Sequence, residues 1–338
     1  MDSVTQIALG AAIGEAVLGR KAGWRAALAG GICGTLPDLD VFVPLGDPVS
    51  DFTYHRSASH SLFVLALAAP LVAEVIIRVQ KNAREHWRAW YALAFLALLT
   101  HPLLDGFTVY GTQIFWPFNT TPVAWATVFI IDPAYTLPLL IGLGCALALR
   151  RSSPAGHRIN AAGLMLSTAY LGWTVVAKLQ ADTAAQTALH RAGIANAQVI
   201  SIAGPFTSLF WRIVAVDGTT YYNAYYSVFD GRTDILTFTP HPRNLDFLEG
   251  LENDWATKRL QWFSRGFYTL KRNGSDVILS DLRMGFEPNY VFTFKLGTIS
   301  NPHTIPLALP ERVEVSQELS GLPWVWQRIW SPEVVLEP

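Results

Sequence analysis

Histidines and aspartates are spaced in this sequence so that several of them could bind a metal ion together. The stretch HRSASHS contains His55, Arg56 and His60 and leads directly into the apolar stretch LFVLALAAPLVAEVII. The stretch THPLLDG contains His101 and Asp105, whose i, i+4 spacing places an imidazole and a carboxylate on one helical face. Ionisable groups beside such apolar segments are costly unless they find partners.

Further carboxylates come from MDSVTQ, which contains Asp2, and from GTLPDLD, which contains Asp38 and Asp40. Mixed His and Asp ligation suits Zn²⁺ or another divalent transition metal, whereas oxygen ligands alone would suggest Mg²⁺ or Ca²⁺. We therefore expect a site for one or two divalent ions, with zinc first and Mn²⁺ second. The expected ligands are Asp38, Asp40, His55, His60, His101 and Asp105.

These residues also have structural alternatives. Asp2 could cap the first helix. Asp38 and Asp40 could be turn residues. His101 and Asp105 could form an isolated hydrogen-bonded pair within one helix.

Two residues are expected to take part in catalysis. Asp38 could accept the proton of an attacking water, and Arg56 could hold a phosphate oxygen. Arg56 could instead anchor the chain in lipid headgroups. Ser59 is expected to cap the helix that follows it.

The composition of the whole chain is more apolar and less charged than that of a soluble protein. Hydrophobic residues make up 51% of the 338 residues and charged residues 15%, against about 25% charged in soluble domains. Four apolar segments approach the ~20 residues needed to cross a bilayer, at about 61–79, 87–104, 133–149 and 159–178. Two shorter segments, at about 4–18 and 24–36, contain GxxxG spacings that predict close helix packing.

The basic residues predict an orientation. Most Lys and Arg residues before residue 181 lie in alternate turns between the six segments. The positive-inside rule makes these turns cytoplasmic, so the His and Asp stretches and the C-terminal half are expected on the outer side of the inner membrane. Membrane lipids are the expected partners. The net charge of -1 and the lack of a basic run argue against nucleic acid.

The C-terminal half has a different pattern. Stretches such as LFWRIVAV, TTYYNAYYSVF and YVFTFKLG are rich in β-branched and aromatic residues, while 244–264 predicts a helix. We expect an α-helical membrane bundle over 1–180, in about six segments of which two are short. A connector follows at 181–195, and a small α+β extramembrane domain at 196–338.

Residues 1–180 resemble a known family. The stretches MDSVTQIALGAAIGEAVLG, GTLPDLD, HRSASHSL and HPLLD are similar, in order and spacing, to those of the LexA-regulated membrane-bound metal-dependent hydrolases, the YdjM-like family. That family is grouped with zinc-dependent phospholipase C and P1-type nuclease proteins, which implies metal-dependent hydrolysis of a phosphoester. The motif positions matched are Asp38 with Asp40, His55 with His60, and His101 with Asp105.

The start of the chain both matches the family and departs from it. Asp2 matches the initial Asp of the family, which implies a seventh ligand. Many members have His where this chain has Gln6. Either one ligand is lost, or Gln6 holds a water or the substrate.

The main hypothesis is an integral membrane metal-dependent hydrolase that acts on a phosphoester of a lipid or lipid-linked substrate at the outer membrane surface. An ion or metal transporter is the first alternative, in which intramembrane Asp and His residues form an ion path. A membrane protein that uses a metal only to clamp its helices is the second. Polar residues at one membrane face, with apolar helix centres, count against the transporter.

Overall fold

The computed structural model describes residues 1–80, 83–149, 154–194, 196–231, 236–300, 303–315 and 321–334. The chain divides into two compact units. The first unit comprises Met1–Val43 and Arg56–Val175, and the second comprises Pro44–His55 and Val176–Pro338. The N-terminal half is helical and the C-terminal half forms a β-sheet domain, as the sequence predicts.

Helices account for the first unit and contribute to the second. In chain order, those of the described residues are α1 (Ser3–Gly14), α2 (Arg20–Ala22), α3 (Trp24–Thr35), α4 (Pro48–Tyr54), α5 (Leu62–Val79), α6 (Trp87–Gly106), α7 (Pro133–Ala148), α8 (Pro154–Arg191), α9 (Trp255–Phe263) and α10 (Leu322–Trp330). A π-helical turn, Glu15–Gly19, follows α1. Short 3₁₀ helices lie at Pro37–Phe42, Ala58–His60, Ala83–His86 and Leu245–Leu248.

Each apolar segment expected from the sequence forms a helix, but few of these helices have the length and apolarity of a membrane span. Among the described residues, only α5 and α8 are long and apolar enough to cross a membrane, and α7 is apolar but shorter. On α5, Leu67, Leu71 and Val75 are 62–78% exposed at i, i+4 spacing. Such an apolar stripe suits contact with lipid. A bundle of six membrane-spanning segments stays a prediction.

The packing of α1 against α3 depends on glycine. A Cβ atom added at Gly10 would overlap the carbonyl oxygen of Gly30, and one added at Gly30 would overlap that of Gly10. Only residues without side chains let two helix backbones approach this closely. The GxxxG spacings therefore act as the sequence predicts, and they bring the end of α3 beside Gln6 of α1, whose carbonyl a Cβ at Gly34 would meet.

The second unit contains two antiparallel four-stranded sheets, with strand orders β1-β2-β3-β4 and β10-β9-β6-β5, and a β7-β8 pair. The strands are β1 (Gln198–Ala203), β2 (Phe210–Asp217), β3 (Thr220–Ser227), β4 (Thr239–Pro242), β5 (Tyr268–Asn273), β6 (Asp276–Asp281), β7 (Gly285–Phe286), β8 (Asn289–Tyr290), β9 (Thr293–Ser300) and β10 (His303–Arg312). The helix expected over 244–264 is shorter, because only α9 and a 3₁₀ turn form there.

The segment Pro44–His55 belongs to the second unit although it lies between two helices of the first. Phe52 of α4 stacks on Phe292, with ring centroids 4.3 Å apart, and meets Phe263 edge-on at 4.7 Å. Arg259 of α9 donates from Nε to the Thr53 hydroxyl at 2.9 Å. The turn that follows Asp40 in sequence is therefore structured by aromatic packing within the second unit.

We predict that Gly30→Ala destabilises the full-length protein, because the added methyl must separate α1 from α3. Overpacking of this kind costs about 1–3 kcal/mol. The measurement is the thermal midpoint of the detergent-purified chain. Gly144→Ala is the matched control, since a Cβ at Gly144 of α7 meets nothing within 4 Å and alanine favours a helix. Equal midpoints for the two variants would contradict the predicted glycine contact.

Candidate metal centre

Four side chains of the first unit converge on one point. Asp38, His60, His101 and Asp105 each offer one ligand atom, and these four atoms all lie within 4.8 Å of one another. His60, His101 and Asp105 are buried, while the side chain of Asp38 is 23% exposed. Three of the four side chains are thus shielded from solvent, and the cluster reaches solvent through Asp38.

Separate elements deliver these four residues. Asp38 lies on the 3₁₀ helix Pro37–Phe42, directly after α3. His60 ends the 3₁₀ helix Ala58–His60, just before α5. His101 and Asp105 lie on α6, one turn apart as their spacing predicts.

The donor atoms are spaced as the ligands of one tetrahedral ion. His60 Nε2 lies 3.1 Å from His101 Nε2 and 3.3 Å from both Asp38 Oδ1 and Asp105 Oδ2. His101 Nε2 lies 3.4 Å from the same two carboxylate atoms. Zinc bonds of roughly 2.0 Å in a tetrahedron place neighbouring ligand atoms about 3.3 Å apart. Five of the six edges therefore fit zinc.

The outward nitrogen atoms of both histidines are held by hydrogen bonds. His101 Nδ1 lies 2.6 Å from the carbonyl oxygen of Gly34, so it must carry the proton and donate. The Ser59 hydroxyl donates to Asp40 Oδ2 at 2.5 Å and lies 2.9 Å from His60 Nδ1. We therefore assign the Nδ1–H tautomer to both rings. With Nδ1 protonated on both rings, each Nε2 atom can turn a lone pair towards a cation held between the two histidines.

Asp105 directs one carboxylate oxygen at each of two different environments. Its Oδ1 atom accepts from Gln6 Nε2 at 3.0 Å and contacts the Met1 amino group. Its Oδ2 atom is buried and accepts no hydrogen bond in the described part of the chain, although Arg56 Nε lies 3.3 Å away. A buried carboxylate oxygen without a hydrogen bond, aimed at two imidazole nitrogens, is the environment of a metal ligand.

The charge state of Asp38 suits ligation. Burial by itself would raise the pKa of this carboxyl, but the neighbouring His101 and His60 side chains outweigh burial and hold the pKa well below its usual range. Asp38 is therefore ionised at neutral pH. A carboxylate must be deprotonated to bind a metal.

Three of the seven expected ligands lie outside the cluster. Asp40 instead accepts from the Ser59 hydroxyl and, at 3.1 Å, from the backbone N–H of Arg56, so it supports His60 indirectly. Asp2 caps α1 by accepting from the backbone N–H and hydroxyl of Thr5. Asp40 and Asp2 are therefore not among the four clustered residues, and their ligation stays a prediction.

His55 is the third expected ligand that is absent from the four-residue cluster. It follows α4 and is grouped with the second compact unit, and its ligation stays a prediction. The sequence motif placed it with His60 because the two are only five residues apart. The chain changes units between His55 and Arg56, which no local spacing could indicate.

Arg56 is buried, and its two expected roles, contact with a phosphate oxygen and anchoring in headgroups, stay predictions. Its backbone is in the left-handed region, with φ of 63°. Its guanidinium lies over the Tyr110 ring at 5.1 Å, and Nη1 donates weakly to Thr108 Oγ1 at 3.4 Å. The guanidinium therefore lies beside the ligand Asp105 and is shielded from solvent.

Two supporting residues had been assigned other roles from the sequence. Ser59 does not cap α5, because Ser61 does so by accepting from the Val64 N–H at 3.3 Å. Gln6 turns its amide nitrogen to Asp105 and is buried. Spacing within α1 could not indicate this contact, since it arises between α1 and α6.

The helical unit, with two apolar helices of membrane-spanning length and a buried His and Asp cluster, defines a membrane protein with a candidate metal centre. Residues 1–181 match the family model described as YdjM inner membrane protein. This match covers more than half of the chain, and the protein belongs to that family. No curated protein and no solved structure matches the chain.

We predict that His101→Ala abolishes zinc binding by the full-length protein, because it removes one of the four donor atoms that would surround the ion. The measurement is zinc content per chain by elemental analysis after purification in detergent. His190→Ala is the control, since His190 is an exposed residue of α8. Equal zinc content in both variants would exclude the four-residue cluster as the metal centre.

A second prediction concerns the Ser59 hydroxyl. Ser59→Ala removes the link between His60 and Asp40, and loss of such an outer partner typically weakens metal affinity about 10- to 100-fold. Competition with a chromophoric zinc chelator measures the change. Ser57→Ala is the neighbouring control, because the Ser57 side chain makes no capping hydrogen bond. An unchanged affinity in Ser59→Ala would show that the hydroxyl does not orient His60.

Proposed function

We propose that this protein is an integral inner-membrane metal-dependent hydrolase. Its proposed substrate is a phosphoester of a lipid or a lipid-linked molecule at the outer membrane surface. The observation that carries the proposal is the convergence of two imidazole nitrogens and two carboxylate oxygens, five of whose separations are 3.1–3.4 Å. Zinc is the first candidate for the ion and manganese the second.

A divalent ion bound there would activate water and polarise a phosphoryl oxygen. Asp38 is the only one of the four ligands with substantial exposure, so water and substrate would approach from its side. Asp38 is also the carboxylate placed to accept a proton from the attacking water. The buried ligands His60, His101 and Asp105 would hold the centre and exclude water from behind it.

The proposed membrane arrangement rests on charge and on exposed apolar surface. The apolar stripe of α5 is exposed over most of the helix, and α8 has the length and apolarity of a span. Six membrane-inserted segments with basic cytoplasmic turns would put the metal centre and the C-terminal domain on the outer side. Lipids would then reach the centre from the headgroup layer, which favours a lipid-linked substrate.

A purely structural metal is the second candidate function. Four protein donors already complete a tetrahedron, and closed four-ligand sites are the usual form of structural zinc. In that case the ion would clamp α6 to the turns that carry Asp38 and His60. The two candidates differ in whether the ion exchanges a ligand for water on the side of Asp38.

We predict that the zinc-loaded protein in nanodiscs releases phosphate or a phosphorylated headgroup from some member of a panel of phosphoester lipids. Asp38→Asn keeps an oxygen donor but loses the proton acceptor, so it should retain zinc while the rate falls about 10²- to 10⁴-fold. The readout is product release at saturating zinc, with His190→Ala as the control.

Two results would argue against hydrolysis. If zinc raises the thermal midpoint of the wild type but the zinc-loaded protein releases nothing from any lipid of the panel, the structural role of the metal is favoured. Alternatively, Asp38→Asn could hydrolyse a lipid as fast as wild type, which would remove Asp38 from the mechanism.

A further inference from the structure

We infer that the centre binds a single divalent ion, and that Arg56 supplies the positive charge on the side where a second ion would otherwise bind. The inference begins from what a two-ion centre needs. Two ions about 3.5–4 Å apart require donors on both sides, commonly with a carboxylate shared between the ions. In this chain the donors on the second side are already engaged.

Asp105 is prevented from bridging two ions. Its Oδ2 atom faces the two histidine Nε2 atoms. Its Oδ1 atom accepts the amide N–H of Gln6 at 3.0 Å, and the same amide nitrogen lies 3.3 Å from the His101 carbonyl oxygen. The same oxygen also contacts the Met1 amino group, and a cation bound there would lie against the hydrogens of both donors. Gln6 therefore acts as a positioning residue that turns Oδ2 alone towards the ion.

The remaining nearby carboxylates are also engaged. Asp40 Oδ2 accepts two hydrogen bonds, from the Ser59 hydroxyl and the Arg56 backbone. Both oxygens of Asp2 are occupied by Thr5. Within the described chain, no other carboxylate or imidazole joins the cluster. A second ion would have to share ligands with the first.

Arg56 lies beside Oδ2 of Asp105, the ligand oxygen that a second ion would have to share with the first. Its Nε atom lies 3.3 Å from Asp105 Oδ2, and its side chain is 5% exposed. The residue is fixed at its backbone as well, since its N–H donates to Asp40 Oδ2 and its carbonyl accepts from the Gln113 N–H at 2.9 Å. A left-handed backbone at a non-glycine residue persists only when its surroundings enforce it.

The charge of Arg56 has a measurable consequence for the first ion. The guanidinium and a bound dication would both lie beside Asp105, and like charges at such distances in a buried site repel strongly. Arg56 therefore weakens the affinity of the centre for its ion, although it also neutralises the carboxylate. This inference rests on the metal centre that the proposed function requires, but it does not depend on hydrolysis.

The test is a titration of the full-length, metal-stripped protein in detergent with Zn²⁺ and separately with Mn²⁺, followed by calorimetry and by elemental analysis. We expect saturation at one equivalent per chain. Arg56→Gln should bind zinc about tenfold more tightly, because it removes the repulsion. Arg56→Lys keeps the charge and should stay near the wild-type affinity.

The possible results separate this inference from the proposed function. Two equivalents in the wild type would overturn the single-ion inference alone. Weaker binding in a folded Arg56→Gln, checked by its thermal midpoint, would overturn the assigned role of Arg56. One equivalent without any hydrolysis would support the inference and reject the hydrolase. No bound ion would overturn both.

Discussion

The structure of the first unit depends on how its largely apolar interior accommodates four ionisable side chains. Asp38, His60, His101 and Asp105 bring two lone pairs and two carboxylates to one point. Groups of this kind would repel one another without a cation, and burying them unpaired would be costly. The hydrogen bonds on their outer sides fix which atoms face inward. A divalent ion at this point would satisfy all four side chains at once.

Helix packing supports this arrangement at close range. The glycines of α1 and α3 let the two backbones touch, and this contact sets the position of the Gly34 carbonyl that holds His101. The same contact places Gln6 where its amide reaches Asp105. The glycines of this contact thus help to determine which nitrogen of His101 carries the proton and how the Asp105 carboxylate is oriented. This is why stability and metal binding should respond together to changes in the α1–α3 contact.

The second unit shows how a turn can be organised by a distant part of the sequence. Phe52 packs among the rings of Phe263 and Phe292, and Arg259 bonds to Thr53. The segment Pro44–His55 lies between Asp40 and Arg56 in the chain, so two residues of the metal centre's surroundings flank it directly. Its structure comes from aromatic packing with residues that lie about 200 positions later.

The sequence by itself determined the features that depend on local order. Apolar runs of helical length predicted the helices, GxxxG spacing predicted the close contact of the first two, and i, i+4 spacing placed His101 beside Asp105. Stretches rich in β-branched and aromatic residues predicted β2, β3 and β9. The strands β4 and β10 were missed because both contain prolines, which disfavour strands within a sheet.

Only the tertiary structure decided which polar residues joined the candidate metal centre and which support it from outside. Asp38 and Asp40 are two residues apart and identical in chemistry, yet one faces the two imidazoles and the other holds Ser59. His55 and His60 share a motif but belong to different compact units. Gln6 and Arg56 meet Asp105 across elements. Spacing fixes a side chain only relative to its own helix or turn, while ligation depends on distances of a few ångströms between elements, which packing alone sets.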